Sequence, residues 1–173
     1  MHDKPAVNFT IRRAERADLP RLVEIRNHYI THTNMTFETV ESTVEEQIEW
    51  FEGFGDGPYQ MLVATSGGQV QGSAYSSRYR ARAAFDTTVE TSISLSPAHC
   101  GAGMGTALYT ALLQRLARQP VHLAVAGIAL PNEASIALHR KLGFTEVGTF
   151  REYARKNGSW MSSTWFQRLI EPM

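Results

Sequence analysis

The sequence predicts a single α/β domain, and three observations carry that expectation. Stretches of alternating apolar and polar residues recur along the chain. They read as half-buried strands, because successive strand side chains point to opposite faces. Between them lie stretches whose apolar residues recur at intervals of three and four, the period of a helix with one buried face. The run His99-Cys100-Gly101-Ala102-Gly103-Met104-Gly105 joins a strand pattern to a helix pattern through three glycines at every second position. Glycines so placed strip side chains from the turn, and the helix that follows presents unpaired N–H groups and the positive end of its dipole. Such a turn is a candidate phosphate cradle; the same residues also suit a tight turn whose glycines serve packing alone.

Taken in order, Val7 to Arg13 alternates Val7, Phe9 and Ile11 with polar neighbours and reads as the first strand. Asp18 is placed to cap a helix that has Pro20 early and Leu19, Leu22, Val23, Arg26 and Tyr29/Ile30 on one face. A polar, threonine-rich segment from Thr31 to Ser42 carries Met35 and Phe37. A second helix begins at Thr43-Val44-Glu45-Glu46, runs through Ile48, Trp50 and Phe51, and is broken by Gly53 to Pro58. Gln60 to Thr65 and Gln69 to Tyr79 read as strands joined by the hairpin turn Ser66-Gly67-Gly68. Arg78 to Arg82 is basic and flanked by aromatics. Thr88 to Leu95 is the strand before the glycine turn, and Met104 to Leu116 the helix after it, stopped by Gln119-Pro120. Val121 to Ile128 is an apolar strand. Pro131-Asn132 opens a short helix to Leu142, with Gly143 as its C-terminal stop. Phe144 to Phe150 and Trp160 to Leu169 complete the chain as two strands joined through Lys156-Asn157-Gly158-Ser159. The predicted order is βααβββαβαββ, with no repeat, linker or low-complexity tract to mark a second domain.

The chain has 173 residues, 43% apolar and 20% charged, with zero formal net charge, which is enough for one domain with a sizeable core. No basic surplus points to nucleic acid or an anionic membrane surface. A lone cysteine, Cys100, rules out an intrachain disulfide framework. Met1-His2-Asp3-Lys4-Pro5 lacks the apolar core of a signal peptide, and no apolar run reaches membrane-spanning length, so the expected location is the cytoplasm. The six histidines show no metal-ligand spacing, and no metal is expected.

The glycine turn Cys100-Gly101-Ala102-Gly103-Met104-Gly105, followed by the helix start Asn132-Glu133-Ala134-Ser135 leading into Leu142-Gly143-Phe144, resembles the GNAT superfamily of acetyl-CoA-dependent N-acetyltransferases. The resemblance narrows through Tyr79-Arg80-Ala81-Arg82-Ala83-Ala84-Phe85, Thr88-Val89-Glu90, Ser96-Pro97-Ala98-His99, Ala137-Leu138-His139 and Arg155 to Trp160 to the phosphinothricin and methionine sulfoximine acetyltransferases. It covers Ile11 to Leu169. It implies the GNAT (acyl-CoA N-acyltransferase) fold, a mixed, mostly antiparallel central sheet flanked by helices. It further implies acetyl-CoA as co-substrate, a small amino-acid-like amine as acceptor, and a homodimer. Two departures stand out: Cys100 replaces the arginine or glutamine that opens the family's turn, and Phe85 stands where related sequences carry tyrosine.

The resemblance also assigns roles. Backbone N–H groups from Cys100 through Gly101, Ala102, Gly103, Met104 and Gly105 to Thr106 would hold the cofactor's pyrophosphate. Backbone groups of Ile93 and Leu95 would hold its pantetheine arm, together with Asn132 and Ser135 at the next helix start; Asn132 also suits an N-cap. Alternation puts Glu90, Ser92 and Ser94 on one face of their strand and Val89, Ile93 and Leu95 on the other. A carboxylate in the middle of a central strand is costly unless paired or functional. Glu90 is therefore either the general base or the ion-pair partner of Arg80 or Arg82. His139 falls where many members carry a proton-donating tyrosine, and is either the acid for the leaving thiolate or a packing residue. Arg80 and Arg82, two apart beside Tyr79, can capture a substrate carboxylate if they share a strand face, or lie solvated on the surface. Phe37 and Glu38 match the family's substrate-loop positions; the alternative for Phe37 is a plug in the core. Direct transfer needs no nucleophile from Cys100. The competing functions are acetylation of a protein N-terminus or lysine, a non-catalytic acyl-CoA sensor with no need of Glu90, and a nucleotide-binding loop, against which stands the missing Gly-Lys-Ser/Thr.

Overall fold

The computed structural model describes residues 8–172; Val7 and the Met1–Pro5 segment lie outside them. In chain order the elements are β1 (Thr10–Arg13), α1 (Leu19–His32), α2 (Val44–Glu52), β2 (Met61–Ser66), β3 (Gln69–Arg78), β4 (Thr88–Leu95), α3 (Met104–Leu116), β5 (Leu123–Ala129), α4 (Glu133–Lys141), β6 (Thr145–Lys156) and β7 (Ser159–Leu169). This is the predicted order. The strands form one seven-stranded sheet, β1-β2-β3-β4-β5-β7-β6. Every neighbouring pair is antiparallel except β4 and β5, which are parallel because α3 carries the chain back between them.

The period-two pattern decides which face each strand buries. Leu62 and Ala64 of β2 enter the core under α3, with Leu108, Tyr109, Leu112 and Leu116. Met61 and Val63 enter the opposite cluster, with Leu22 and Ile25 of α1 and, from α2 and the residues after it, Trp50, Phe51 and Phe54. One sheet thus has helices on both faces. α2 starts on a reciprocal cap: Thr43 Oγ1 accepts from the Glu46 N–H, and the Glu46 carboxylate accepts from the Thr43 N–H at 2.8 Å.

Four local expectations need correction. Asp18 stands at the N-terminal boundary of α1 but makes no cap bond; it already has helical backbone angles at the end of a 3-10 turn. Its carboxylate turns back to accept from the Glu15 N–H at 2.8 Å and from Arg12 at 2.7 and 2.8 Å. Burial works to raise the Asp18 pKa, and the Arg12 and Glu15 donors outweigh it. β3 ends at Arg78, so Tyr79, Arg80 and Arg82 lie in the connection to β4 rather than on a strand, and the two arginines share no strand face. β5 begins at Leu123, with Val121 buried as its lead-in. β6 runs on past Phe150 to Lys156, because an irregularity between Phe150 and Ala154, with Glu152 at φ 50°, breaks the alternation on which the shorter strand was read.

β4 and β5 pair only at Thr88–Leu123, Val89–Ala124 and Glu90–Val125, although both strands continue. At the point of parting, the Thr91 and Tyr109 hydroxyls are bonded at 2.6 Å, Thr91 Oγ1 also donates to the Val125 carbonyl at 3.2 Å, and Tyr109 OH lies 3.1 Å from His139 Nε2. Tyr109 is fully buried, and burial raises its pKa far above the ordinary phenol range, so the hydroxyl keeps its proton. This chain of bonds ties β4, α3 and α4 together beside the gap. Tyr109→Phe leaves the buried Thr91 and His139 each short of a partner, and is expected to lower stability by about 1–3 kcal/mol in urea denaturation; an unchanged midpoint would show that the bonds hold nothing together.

Candidate active site

The parting of β4 from β5 leaves backbone groups without a strand partner. The Ser96 N–H donates to the Gln71 carbonyl at 2.6 Å, and the β3–β4 register continues from there. Antiparallel bonding alternates, so Ser94, Ser92 and Glu90 direct their backbone groups at β3. Ile93 and Leu95 direct theirs into the gap. The Leu95 carbonyl accepts there from Tyr29 OH at 2.7 Å. Burial, and after it the nearby Cys100, push the Tyr29 phenol up to about 12.

A cavity of about 1230 Å³ passes through this gap. Its wall includes Glu90, Ser92 and Ser94 from one face of β4 and Ile93 and Leu95 from the other. Beneath the α3 side it is walled by the glycine turn and α4. Across the α1 side it is walled by Arg26, Tyr29, Trp50, Tyr75 and the segment that carries Phe37 and Glu38.

The glycine turn is shaped to admit a ligand. Gly103 has φ 80° and occupies the cap position of α3 with no side chain to bond the first turn. Among the described residues no acceptor engages the N–H groups of Met104, Gly105 and Thr106. A Cβ at Gly103 would meet nothing within 4 Å, and Gly103, Gly105 and Thr106 all border the cavity. At Gly105 a Cβ would stand 3.2 Å from Leu95 Cδ1, so this glycine lets α3 lie close against β4. The Met104 side chain is wholly in the core, and Ala102 and Met104 do not border the cavity. Cys100 is exposed at the cavity wall, its thiol 3.7 Å from the Ser96 carbonyl. Asn132 caps α4 by accepting from the Ser135 N–H at 3.2 Å, and both residues border the cavity. A row of free donors, an open approach and no carboxylate in the turn fit a cofactor carrying a pyrophosphate.

Glu90 is half-buried in the cavity wall. It forms no ion pair among the described residues, with Arg80, Arg82 or any other cation. Burial raises its pKa above the usual carboxylate range. Tyr75, opposite Ser92 in the register, stands within electrostatic reach of Glu90, Glu38 and Arg26. Glu38 is ion-paired to Arg26 at 2.7 Å. Phe37 is 38% exposed and packs edge-on to Tyr153 at 5.5 Å, so it is a cavity-wall residue and not a core plug.

The remaining sequence-predicted residues lie elsewhere. Tyr79, Arg80 and Arg82 are absent from the cavity wall; the Arg80 guanidinium stacks on Tyr79 at 5.0 Å and on Phe85 at 5.6 Å. His139 is 3% exposed and also stands off the cavity. Its ring packs on Tyr109, Phe144 and Phe166, with Nδ1 2.8 Å from the Ser135 carbonyl and Nε2 at Tyr109 OH. Burial lowers its pKa, and the Ser135 carbonyl opposes that shift. Of the two readings for His139, packing is the one this geometry has.

Two residues that hold the segment carrying Phe37 and Glu38 were not singled out from sequence. Arg26 is a guanidinium on the apolar face of α1, and that mismatch was the available signal. It stacks over Trp50 at 5.6 Å and keeps a buried, unbonded Nε. Lys156 is fully buried, and its Nζ donates to the Thr33 and Thr36 carbonyls at 2.9 and 3.0 Å, fastening the segment that carries Phe37 and Glu38. Burial lowers its pKa, with Glu38 opposing. A contact across 120 residues leaves no local signal.

Among the described residues there is no helix long and apolar enough to cross a membrane, and no cluster of three or more potential metal ligands. Residues 11–165 match the family described as "Acetyltransferase (GNAT) domain". The chain is 42% identical over 154 residues to a phosphinothricin N-acetyltransferase of Streptomyces coelicolor, covering 87% of this chain and 90% of the relative. It is 34% identical over 167 residues to an L-methionine sulfoximine/L-methionine sulfone acetyltransferase of Pseudomonas paraeruginosa, covering 96% and 97%. The crystal structure of a GNAT superfamily phosphinothricin acetyltransferase from Sinorhizobium meliloti in complex with AcCoA superposes with a TM-score of 0.90 at 34% identity, covering 94% of this chain and 89% of that one. With the parted strands, the open glycine turn and these matches, the chain belongs to the GNAT acetyltransferases, enzymes that draw their acetyl group from acetyl-CoA.

Proposed function

We propose that this chain acetylates the amino group of a small amino-acid-like substrate of the phosphinothricin or methionine sulfoximine type, with Glu90 as general base. The observation that carries the reading is Glu90 itself, an unpaired, partly desolvated carboxylate at the place where β4 and β5 part. The names of the relatives support the substrate class.

Acetyl-CoA supplies the acetyl group as a thioester. The open N–H groups of the α3 first turn hold its pyrophosphate, and the gap-facing backbone of Ile93 and Leu95, with Asn132 and Ser135, lines the course of the pantetheine arm. Phe37 and Glu38 border the acceptor side. An N–H turned into the gap polarises the acetyl oxygen, as an oxyanion donor does. An ammonium cannot attack, so Glu90 takes one proton from the substrate nitrogen, through a water. The C–N bond forms as the C–S bond breaks. The second proton shed by the nitrogen balances the thiolate as thiol, so the transfer asks nothing of the buried His139. Arg26 is the guanidinium the cavity offers to a substrate carboxylate. Its stacked, Glu38-tethered fork suits a planar anion.

Glu90→Gln is expected to cut kcat/KM by roughly 10²–10⁴-fold at neutral pH. The sign of the pH effect follows from the raised pKa. The wild-type rate climbs as pH rises through a value above the ordinary carboxylate range; the variant lacks that limb, and its deficit shrinks as more amine arrives deprotonated. In the folded state the raised pKa makes ionised Glu90 a cost above that same pH, so the variant should be at least as stable as wild type at neutral pH. A variant that keeps the wild-type acidic limb at near-normal rate would remove Glu90 from the chemistry.

Arg26→Gln is expected to raise KM roughly tenfold for an amino-acid acceptor and to leave KM for the matching decarboxylated amine nearly unchanged, since a charge-assisted bond to the carboxylate is lost. Equal losses on the two acceptors would reduce Arg26 to a prop for Glu38.

A further inference from the structure

The glycine turn has open backbone donors, but from Pro97 to Thr106 it carries no lysine or arginine. Three basic side chains border the cavity: Arg26, His28 and Lys141. Arg26 is paired with Glu38 on the acceptor side, and His28 lies on α1. Lys141, in the last turn of α4, reaches across to α3. Its Nζ stands 3.5 Å from Thr106 Oγ1, in the first turn of that helix. Among the described residues Lys141 has no carboxylate partner, whereas its neighbour Arg140 is paired with Glu146 at 3.1 Å. The charge suits the C-terminal end of its own helix. At the N-terminus of α3, however, an ammonium faces the positive end of a dipole and uncapped N–H groups, an arrangement that is unfavourable until an anion lies between them.

We propose that Lys141 is a phosphate ligand for acetyl-CoA, supplying from α4 the positive charge that the glycine turn lacks. The ammonium and the N–H groups of Met104, Gly105 and Thr106 converge on one bound phosphate group, the lysine acting as a mobile point charge and the helix end as a fixed row of donors. The shared chemistry is a phosphate dianion or diester, present in the cofactor both as the pyrophosphate and as the 3′-phosphate.

The test is calorimetric titration of acetyl-CoA and of acetyl-3′-dephospho-CoA into wild type, Lys141→Met and Lys141→Arg. Methionine keeps the stem and removes the charge. The expected result is a roughly tenfold weaker Kd for acetyl-CoA in Lys141→Met, with a shallower salt dependence, and near-wild-type affinity in Lys141→Arg. A deficit that persists with the dephospho compound assigns the contact to the pyrophosphate, as the convergence requires; one that disappears moves Lys141 to the 3′-phosphate and overturns the convergence with the turn's N–H groups. S-acetylpantetheine, which has no phosphate, should be turned over equally by wild type and Lys141→Met. Unchanged Kd for acetyl-CoA in Lys141→Met, or an equal loss of kcat/KM on S-acetylpantetheine, would overturn the assignment.

Discussion

The site depends on one constraint: two parallel strands that begin as partners and then separate. Up to Glu90 and Val125 the β4–β5 ladder is closed. Beyond it, every second residue of β4 keeps its bond to β3 and the residues between face open space. A central strand with one edge unpaired carries the kind of backbone group that is costly to bury and available to bind. The separation is held from the side, by the hydroxyl chain through Thr91 and Tyr109 to His139, and by the close seat of Gly105 on Leu95. Opening the sheet at its middle also brings its two faces together. The passage gathers Glu90 from one face and the turn before α3 from the other, so groups from both faces line one cavity across a single strand.

Charge in the cavity is distributed with the same economy. Glu90 stands alone and is pushed toward its protonated form by burial, a shift in the direction that would suit the general base proposed for it. Glu38 is neutralised by Arg26, and the segment carrying it is fastened through its carbonyls by buried Lys156. Lysine here serves as a hydrogen-bond donor to the main chain, at the end of a hairpin far along the sequence. The cavity wall that carries Phe37 and Glu38 therefore depends on β6 and β7 as well as on α1.

The order of elements was legible because each obeys a local rule: a short apolar run before a Gly-Gly turn in β2, period two in β4, an apolar stripe in α3, an N-cap asparagine for α4. Met104–Leu116 agrees residue for residue with the reading from periodicity. Misreadings fell where a tertiary contact overrides the pattern. Asp18 looks like a cap, but Arg12 and the Glu15 N–H claim its carboxylate. Arg80 and Arg82 look like a strand pair, but the strand stops at Arg78 and Arg80 folds onto its own aromatics. Phe150 looks like a strand end, yet an irregular stretch carries the pairing on to Lys156. Near the cavity, the glycine turn, the Asn132 cap and the placement of Glu90 on one face of β4 were legible from local pattern, while the roles proposed for them came from the resemblance to the family. His139 had the right position and the wrong surroundings. Its ring faces Tyr109 and Phe144, which lie 30 residues before it and five after it. Arg26, Lys141 and Lys156 owe their significance to partners on other elements, which no local pattern records.

The central claim is that the unpaired backbone of β4 is the seat of the cofactor. Residue-resolved amide hydrogen exchange, with and without saturating acetyl-CoA, tests it most directly. The account predicts that the Ile93 and Leu95 amides exchange readily in the free protein and become protected when the cofactor is added. Ser92 and Ser94, bonded to β3, should be protected in both states and serve as the internal reference. Protection of Ile93 and Leu95 already in the free protein, or exchange at both positions that ignores the cofactor, would contradict it.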